Sequence, residues 1–160
     1  VKDKALEDKM TSLLEQVDNW EYSKEVLQYV PIGKPVWSYW ISSHSGTRAD
    51  PYKNSQAINK GIDLASRTGN KVKIRARGKV TRSEYSSTYG HIVEVDHGNG
   101  FKTKYAHLHK RYVEKGVDVE LDEAIGEVGS TGRSTGPHLH YEILYRGHPV
   151  DPLPFIKTKI

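Results

Sequence analysis

The sequence predicts a mainly β fold of antiparallel strands, with a helical segment at its N-terminus. Two observations carry this prediction. Apolar residues near the N-terminus recur with the spacing of a helix, whereas from Trp37 onward they alternate in short runs separated by glycine-rich turns. This change of period predicts a helical segment and linker at residues 1–36 and a β domain at residues 37–160.

The N-terminal helix is predicted over residues 3–28. Its apolar stripe advances by alternating steps of four and three residues, through Leu6, Met10, Leu13, Val17 and Trp20. Pro31 and Pro35, with Gly33 between them, end the helix. We expect the stripe to pack on the chain's own domain; the alternative is a surface for a partner helix or for self-association.

A β-hairpin is predicted in the stretch VDHGNGFKTKY, residues 95–105. The turn is Asn99-Gly100, a pair that tolerates the positive φ of tight hairpin turns. Apolar residues flank the turn on both sides, at Ile92, Val93, Val95, Phe101 and Tyr105.

Composition limits the classes of function. The chain has 160 residues, 36% of them hydrophobic, and contains no run long and apolar enough to span a membrane. It has no cysteine, so any metal must be held by His, Asp or Glu. The formal charge of +4 is spread along the chain, which favours no nucleic-acid partner and permits a polyanionic wall polymer.

The first residue is Val1, and no signal or anchor sequence follows it. We therefore expect these residues to be cut from a longer chain, with any membrane anchor outside the fragment.

Chemistry is concentrated in the histidines, beginning with GPHLHYEI, residues 136–143. A strand's period of two places His138 and His140 on one face, as a metal ligand and a neighbouring base require. An H-x-H alone is equally typical of a polar strand face. The stretch YAHLHK adds His107 near the end of another strand, and NKGIDLAS adds Asp63 after Gly61, which allows a close backbone approach.

The other histidines are predicted to have structural or exposed positions. His44 lies in the polar stretch SSHSGTR, where an exposed loop histidine is favoured over a ligand at the mouth of a groove. The rest of this set is His91, His97 and His148. His109 is left open, because it lies two residues after His107 and forms a second H-x-H with it.

Four linked motifs, between about Trp37 and Phe155, resemble the lysostaphin-type (LytM domain) zinc endopeptidases, which cleave peptide cross-bridges of bacterial peptidoglycan. They occur in the family's order: SSHSGTRADPY, NKGIDLAS, GHIVEVDHGNGFKTKYAHL and IGEVGSTGRSTGPHLHYEI. The resemblance implies an antiparallel β-sheet with a substrate groove, which the turns of GSTGRSTG help to shape. It also implies a cell-envelope location, periplasmic or extracellular.

The same resemblance implies roles for individual residues. Asp63 and His140 correspond to zinc ligands, and His107 and His138 correspond to the base and the transition-state stabiliser beside the metal. Three protein ligands would leave one zinc position open for the water that attacks a peptide carbonyl. The resemblance identifies no substrate-binding residues.

The chain departs from the family pattern at Asn59, four residues before Asp63, where the remaining zinc ligand is a histidine. An amide oxygen is neutral and suits hard cations better than zinc, so Asn59 is a poor replacement for imidazole. We therefore expect zinc, the cofactor of the family, to be weakly bound or absent in this chain.

Two classes of function follow. The first is a catalytically impaired domain that binds wall peptides or an active family peptidase, as a homo- or hetero-oligomer, in wall remodelling or cell-shape control. The second is an active zinc-dependent peptidoglycan endopeptidase in which Asn59 is an introduced substitution. The residue at position 59 of the natural gene distinguishes them.

Overall fold

The computed structural model describes residues 4–18, 28–50 and 55–158, and of residues 13–18, 46–50 and 55–59 only the backbone. The first described elements are α1 (Lys4–Asp18), β1 (Trp40–Ser43), β2 (Gly46–Asp50), β3 (Ser55–Asn59), β4 (Ile62–Ala65), β5 (Lys71–Lys73) and β6 (Gly78–Ser86). They are followed by β7 (Gly90–Gly98), β8 (Phe101–Leu108), β9 (Lys110–Arg111), β10 (Asp118–Val119), β11 (Ala124–Glu127), β12 (His138–Tyr145), β13 (His148–Val150) and α2 (Leu153–Lys157).

A central antiparallel sheet organises the domain. Its strand order is β1-β4-β12-β8-β7-β6-β10, and β13 pairs with the far end of β12. A smaller sheet contains β5, β11 and β9, and β2 pairs with β3. The predicted class, mainly antiparallel β with an N-terminal helix, is confirmed.

The predicted hairpin is also confirmed. Strands β7 and β8 pair from His91 and Leu108 to Gly98 and Phe101. Between them, Asn99 and Gly100 have φ values of 52° and 90°, the left-handed conformation that this residue pair accommodates.

The N-terminal helix packs on the domain through the described part of its apolar stripe. Met10 is buried in the main core, and Leu6 packs against that core. The side chains of Leu13 and Val17, and all of Trp20, lie outside the described residues. The predicted end of the helix at residue 28 is wrong, because Gln28 lies in a turn; residues 19–27 also lie outside the description.

The segment between the helix and β1 contributes to the same core. Val30, Ile32 and Val36 are all buried there. The domain boundary after residue 36 stays a prediction. No described helix combines the length and the apolar character needed to cross a membrane.

Alternation along β4 and β12 separates the core from the other face of the sheet. On β12, Leu139, Tyr141 and Ile143 are completely buried in the core. The intervening His138, His140 and Glu142 therefore lie on the opposite face, and the same rule places Asp63 there beside them.

A polar network lies within the core at the base of the hairpin. The Nδ1 atom of His97 is 3.0 Å from the carbonyl oxygen of Arg77, and its Nε2 is 2.7 Å from Oγ1 of Thr103. A carbonyl can only accept, so Nδ1 carries the proton and Nε2 accepts from the Thr103 hydroxyl. Burial lowers the pKa of His97 below its ordinary value of 6.5.

This burial predicts acid sensitivity. Because the folded-state pKa is depressed, the unfolded chain takes up a proton below about pH 6.5 that folded His97 does not, so stability decreases as the pH falls. We expect the difference in unfolding free energy between wild type and His97→Gln to shrink by up to about 1.4 kcal/mol per pH unit. Urea denaturation between pH 7.5 and pH 5 measures it, and a constant difference would exclude His97 as the acid-sensitive group.

Candidate functional site

Asp63 and His140 lie side by side on neighbouring strands of the central sheet. Their strands, β4 and β12, pair in a register that sets the two residues directly opposite. Oδ1 of Asp63 lies 2.7 Å from Nδ1 of His140, and the two side chains are 16% and 12% exposed. The two residues therefore lie close together, as predicted, and are joined by a charge-assisted hydrogen bond.

His138 lies beside this pair, two residues before His140. Its Nε2 is 3.8 Å from Oδ1 of Asp63, too long for a hydrogen bond. Its Nδ1 is 2.8 Å from the carbonyl oxygen of Gly136, so Nδ1 carries a proton and Nε2 is directed towards the pair. The Ser134 hydroxyl, 3.1 Å from the same Nδ1, comes from the GSTGRSTG turns.

His107 reaches the cluster through a β-bulge. Ala106 pairs with His140, so a regular strand would turn the next side chain to the other face of the sheet. Between the pairs His91–Leu108 and Val93–Tyr105, however, β8 has one residue more than β7. His107 lies in this bulge with φ 62°, and its ring centroid is 4.8 Å from that of His138.

The tautomer of His107 is fixed by the turn at residues 130–132. Nδ1 is 2.7 Å from the carbonyl oxygen of Thr131, to which it donates, and this leaves the lone pair on Nε2. Burial lowers the pKa of His107, an effect that the nearby His138 reinforces. The ring is therefore neutral at pH 7 and has the form of a proton acceptor.

Glu142 completes the cluster, although the sequence prediction omitted it. Its side chain is 2% exposed, and Oε2 accepts a hydrogen bond from Nε2 of His140 at 2.9 Å. The same period of two that links His138 to His140 extends to Glu142, so the signal was present in the sequence. Burial alone would lower the pKa of His140, but the hydrogen bonds to Asp63 and Glu142 raise it to about 9.

Gly61 allows β4 to approach β12 at this point, as predicted. A Cβ atom at residue 61 would lie 2.3 Å from the carbonyl oxygen of Tyr141 and 2.7 Å from Cγ of Glu142. The absence of a side chain at Gly61 therefore sets the distance between the strands that carry Asp63 and His140.

The described side chains do not form a complete zinc site. Among them, no group of three or more His, Asp or Glu residues is arranged to hold an ion. Asp63 and His140 supply two donors, and these are hydrogen-bonded to each other. The backbone of Asn59 ends β3, paired with Gly46, and its side chain lies outside the described residues.

The histidines predicted to be structural or exposed have those positions, and His109 is exposed as well. His97 is buried and structural, and His91 is half-buried with its Nδ1 accepting a hydrogen bond from Arg111 at 3.0 Å. Three others are exposed, namely His44, His109 and His148.

Comparison with known sequences supplies the family context. The profile of "Peptidase family M23" matches residues 57–152. The DD-carboxypeptidase/endopeptidase Mpg of Neisseria meningitidis is 44% identical over 113 residues, which are 71% of this chain and 26% of Mpg. The peptidoglycan DD-endopeptidase ShyA of Vibrio cholerae is 40% identical over 121 residues, 74% of this chain and 28% of ShyA. The chain thus spans about a quarter of the length of these relatives.

Solved structures share the fold. A zinc-containing peptidase from Vibrio cholerae matches with a TM-score of 0.72 and 35% identity, covering 76% of this chain and 39% of the peptidase. The catalytic domain of lysostaphin from Staphylococcus simulans has a TM-score of 0.67 and 29% identity, covering 74% and 92%. One chain of the SpoIIQ-SpoIIIAH pore-forming complex has a TM-score of 0.67 and 28% identity, covering 82% and 94%.

Proposed function

The chain belongs to peptidase family M23, of the lysostaphin type, and on this premise we propose that it is a peptidoglycan-binding domain whose own zinc site is impaired. It acts in the bacterial cell envelope, in wall remodelling or cell-shape control. Support for the wall polymer as ligand comes from the relatives, since ShyA is a peptidoglycan DD-endopeptidase.

The observation that carries the impairment is the residue at position 59. Asn59, in the place of the third ligand, offers an amide that zinc disfavours. His140 donates a hydrogen bond from Nδ1 to Oδ1 of Asp63 at 2.7 Å and another from Nε2 to Oε2 of Glu142 at 2.9 Å.

The other residues of the cluster retain an arrangement suited to binding a peptide. His107 has an acceptor at Nε2, and His138 donates from Nδ1 to the Gly136 carbonyl. These rings line one face of the sheet with fixed tautomers. We propose that they hold polar groups of a wall peptide. In a catalytic relative, the corresponding residues would be the base and the transition-state stabiliser.

The test is to measure metal, cleavage and binding on the same preparation. We expect the purified chain to hold well under one zinc per molecule and to bind added zinc with a Kd on the order of micromolar or weaker. It should cleave cross-linked muropeptides slowly or not at all, while still being retained on purified peptidoglycan. Stoichiometric, chelator-resistant zinc together with rapid cleavage would identify the chain as an active endopeptidase.

A second candidate function is association with another protein of the envelope. The matched chain of the SpoIIQ-SpoIIIAH pore-forming complex, 94% of which is covered, is found in an assembly of two proteins. Two exposed aromatic side chains, Trp37 and Trp40, offer this chain anchors for such an interface. The partner that we propose is an active family peptidase. The test is to add this chain to a cleavage assay of such a peptidase. A change in the peptidase's rate supports the association, whereas a domain that only binds the wall leaves the rate unchanged.

A further inference from the structure

A groove lined by cations lies apart from the candidate site. It has a volume of about 1270 Å³, and Trp37 lines it together with five basic side chains, Lys34, Lys71, Lys73, Arg75 and Lys157. Its lining residues do not include the members of the candidate site, which we call the Asp63–His140 cluster: Asp63, His107, His138, His140 and Glu142. We call this surface the basic groove.

The floor of the basic groove is fixed by backbone hydrogen bonds. Gly33 N donates to the carbonyl oxygen of Phe155 in α2, and Lys73 N donates to that of Pro35, both at 2.9 Å. The segment from Gly33 to Pro35 is thereby joined to α2 on one side and to β5 on the other. The backbone of this surface therefore loses little conformational entropy on binding a ligand.

The charge of the basic groove is poorly compensated. Its lining contains one carboxylate, Asp122, whose Oδ1 lies 2.5 Å from Nη1 of Arg75. Among the described residues, none of the four lysines of the groove forms a direct salt bridge, and only Lys71 is linked to a further carboxylate, through the Tyr112 hydroxyl that contacts Glu127. The groove therefore presents a local positive potential that attracts anions.

Trp37 adds an exposed aromatic face to this potential. Trp37 is 84% exposed, an unusual position for the largest apolar residue type. The Nζ atom of Lys34 lies 4.0 Å from the ring centroid, a cation–π contact that holds the ammonium group beside the ring. The ligand that suits this combination has both apolar faces and negative charge.

We propose that the basic groove binds the carboxylate-bearing peptides of a peptidoglycan strand, as a wall-binding site separate from the Asp63–His140 cluster. This inference rests on the proposed function, because it takes the wall polymer as the ligand of the domain. Peptidoglycan carries free carboxylates on its peptides, which complement the lysines, and sugar faces, which can stack on Trp37.

The two sites lie within reach of one extended polymer. Trp40 opens β1 and pairs with Ala65, and Ser43 of the same strand pairs with Asp63. From Trp37 to Ser43 the chain advances six residues, at most about 20 Å at 3.3 Å per residue. A glycan strand with its peptides spans this distance, so the groove can hold the polymer while the cluster contacts a peptide.

The test compares matched lysine variants of the full chain in co-sedimentation with purified sacculi. One variant carries Lys34→Gln, Lys73→Gln and Lys157→Gln in the groove. The control carries Lys79→Gln, Lys110→Gln and Lys115→Gln, three exposed lysines elsewhere, so the change in net charge is the same. Thermal unfolding of both variants verifies that each is folded.

We expect the groove variant to bind sacculi at least tenfold more weakly than wild type, and the control to stay within twofold. Wild type should lose binding to sacculi whose carboxylates have been converted to amides. Poly-glutamate should compete for the groove more effectively than polyphosphate or duplex DNA at equal charge.

Each contrary result has a distinct meaning. If wild type binds sacculi and the groove variant binds equally well, the groove assignment is wrong and the proposed function stands. If wild type does not bind sacculi, the proposed function fails and the groove proposal with it. Undiminished binding to amidated sacculi, or stronger competition by phosphate polymers, would overturn the carboxylate as the recognised group.

Discussion

The variant Asn59→His is expected to bind zinc about a hundredfold more tightly than wild type and to gain cleavage of cross-linked peptidoglycan. Structural zinc sites with four ligands bind with roughly 10–16 kcal/mol, so one good ligand contributes on the order of 3 kcal/mol. An imidazole at residue 59 joins Asp63 and His140 to give the three protein ligands of a catalytic site. Zinc titration by calorimetry and a muropeptide cleavage assay measure the two effects.

Two controls separate ligand restoration from other causes. Asn59→Ala supplies no ligand and should bind zinc no better than wild type. Adding Asp63→Ala to Asn59→His removes a ligand again and should return the affinity to the wild-type range. An Asn59→His variant with wild-type zinc affinity would show that residue 59 does not face the metal site, and the proposed cause of impairment would be wrong.

The second large effect is expected from Gly61→Ala. The new methyl group would lie 2.3 Å from the carbonyl oxygen of Tyr141, a backbone atom that can move only with its strand. Overpacking of this kind lowers the free energy of unfolding by up to about 3 kcal/mol. For a chain of this size, that loss lowers Tm by about 6–12 °C. Because β4 must shift away from β12, the hydrogen bond between Asp63 and His140 should also lengthen.

Gly136→Ala is the matched control. No heavy atom lies within 4 Å of the Cβ position there, and the φ of Gly136 is not among the positive values. Thermal unfolding should therefore leave this variant within about 0.5 kcal/mol of wild type, the range of neutral surface changes. Equal Tm values for both alanine variants would contradict the close approach of β4 and β12.

Much of the fold follows from local patterns. The Asn99-Gly100 turn and its alternating flanks specify the β7–β8 hairpin, because turn conformation and strand period are properties of neighbouring residues. His138 and His140 share a face for the same reason. The helix was less well predicted: its apolar period continued to Trp20, but a period does not mark where a helix ends.

Contacts between distant segments were harder to predict. Asp63 and His140 are 77 residues apart in the sequence. No local pattern links them, and only the resemblance to a family predicts that they lie together. Neither a sequence motif nor the family resemblance predicts the basic groove. Lys34, Lys73 and Lys157 come from a loop, a strand and a short helix, and their separate positions in the sequence show no common pattern.

The bulge at His107 bears on how such a domain would change over generations. A residue at φ 62° is strained for most side chains, and most strained for the β-branched ones, whereas glycine and asparagine accept that backbone readily. If selection for the imidazole at residue 107 were relaxed, drift would favour Gly or Asn there over Val or Ile. At a site built on a bulge, the replacements that are accepted would thus be set by backbone conformation as well as by chemistry.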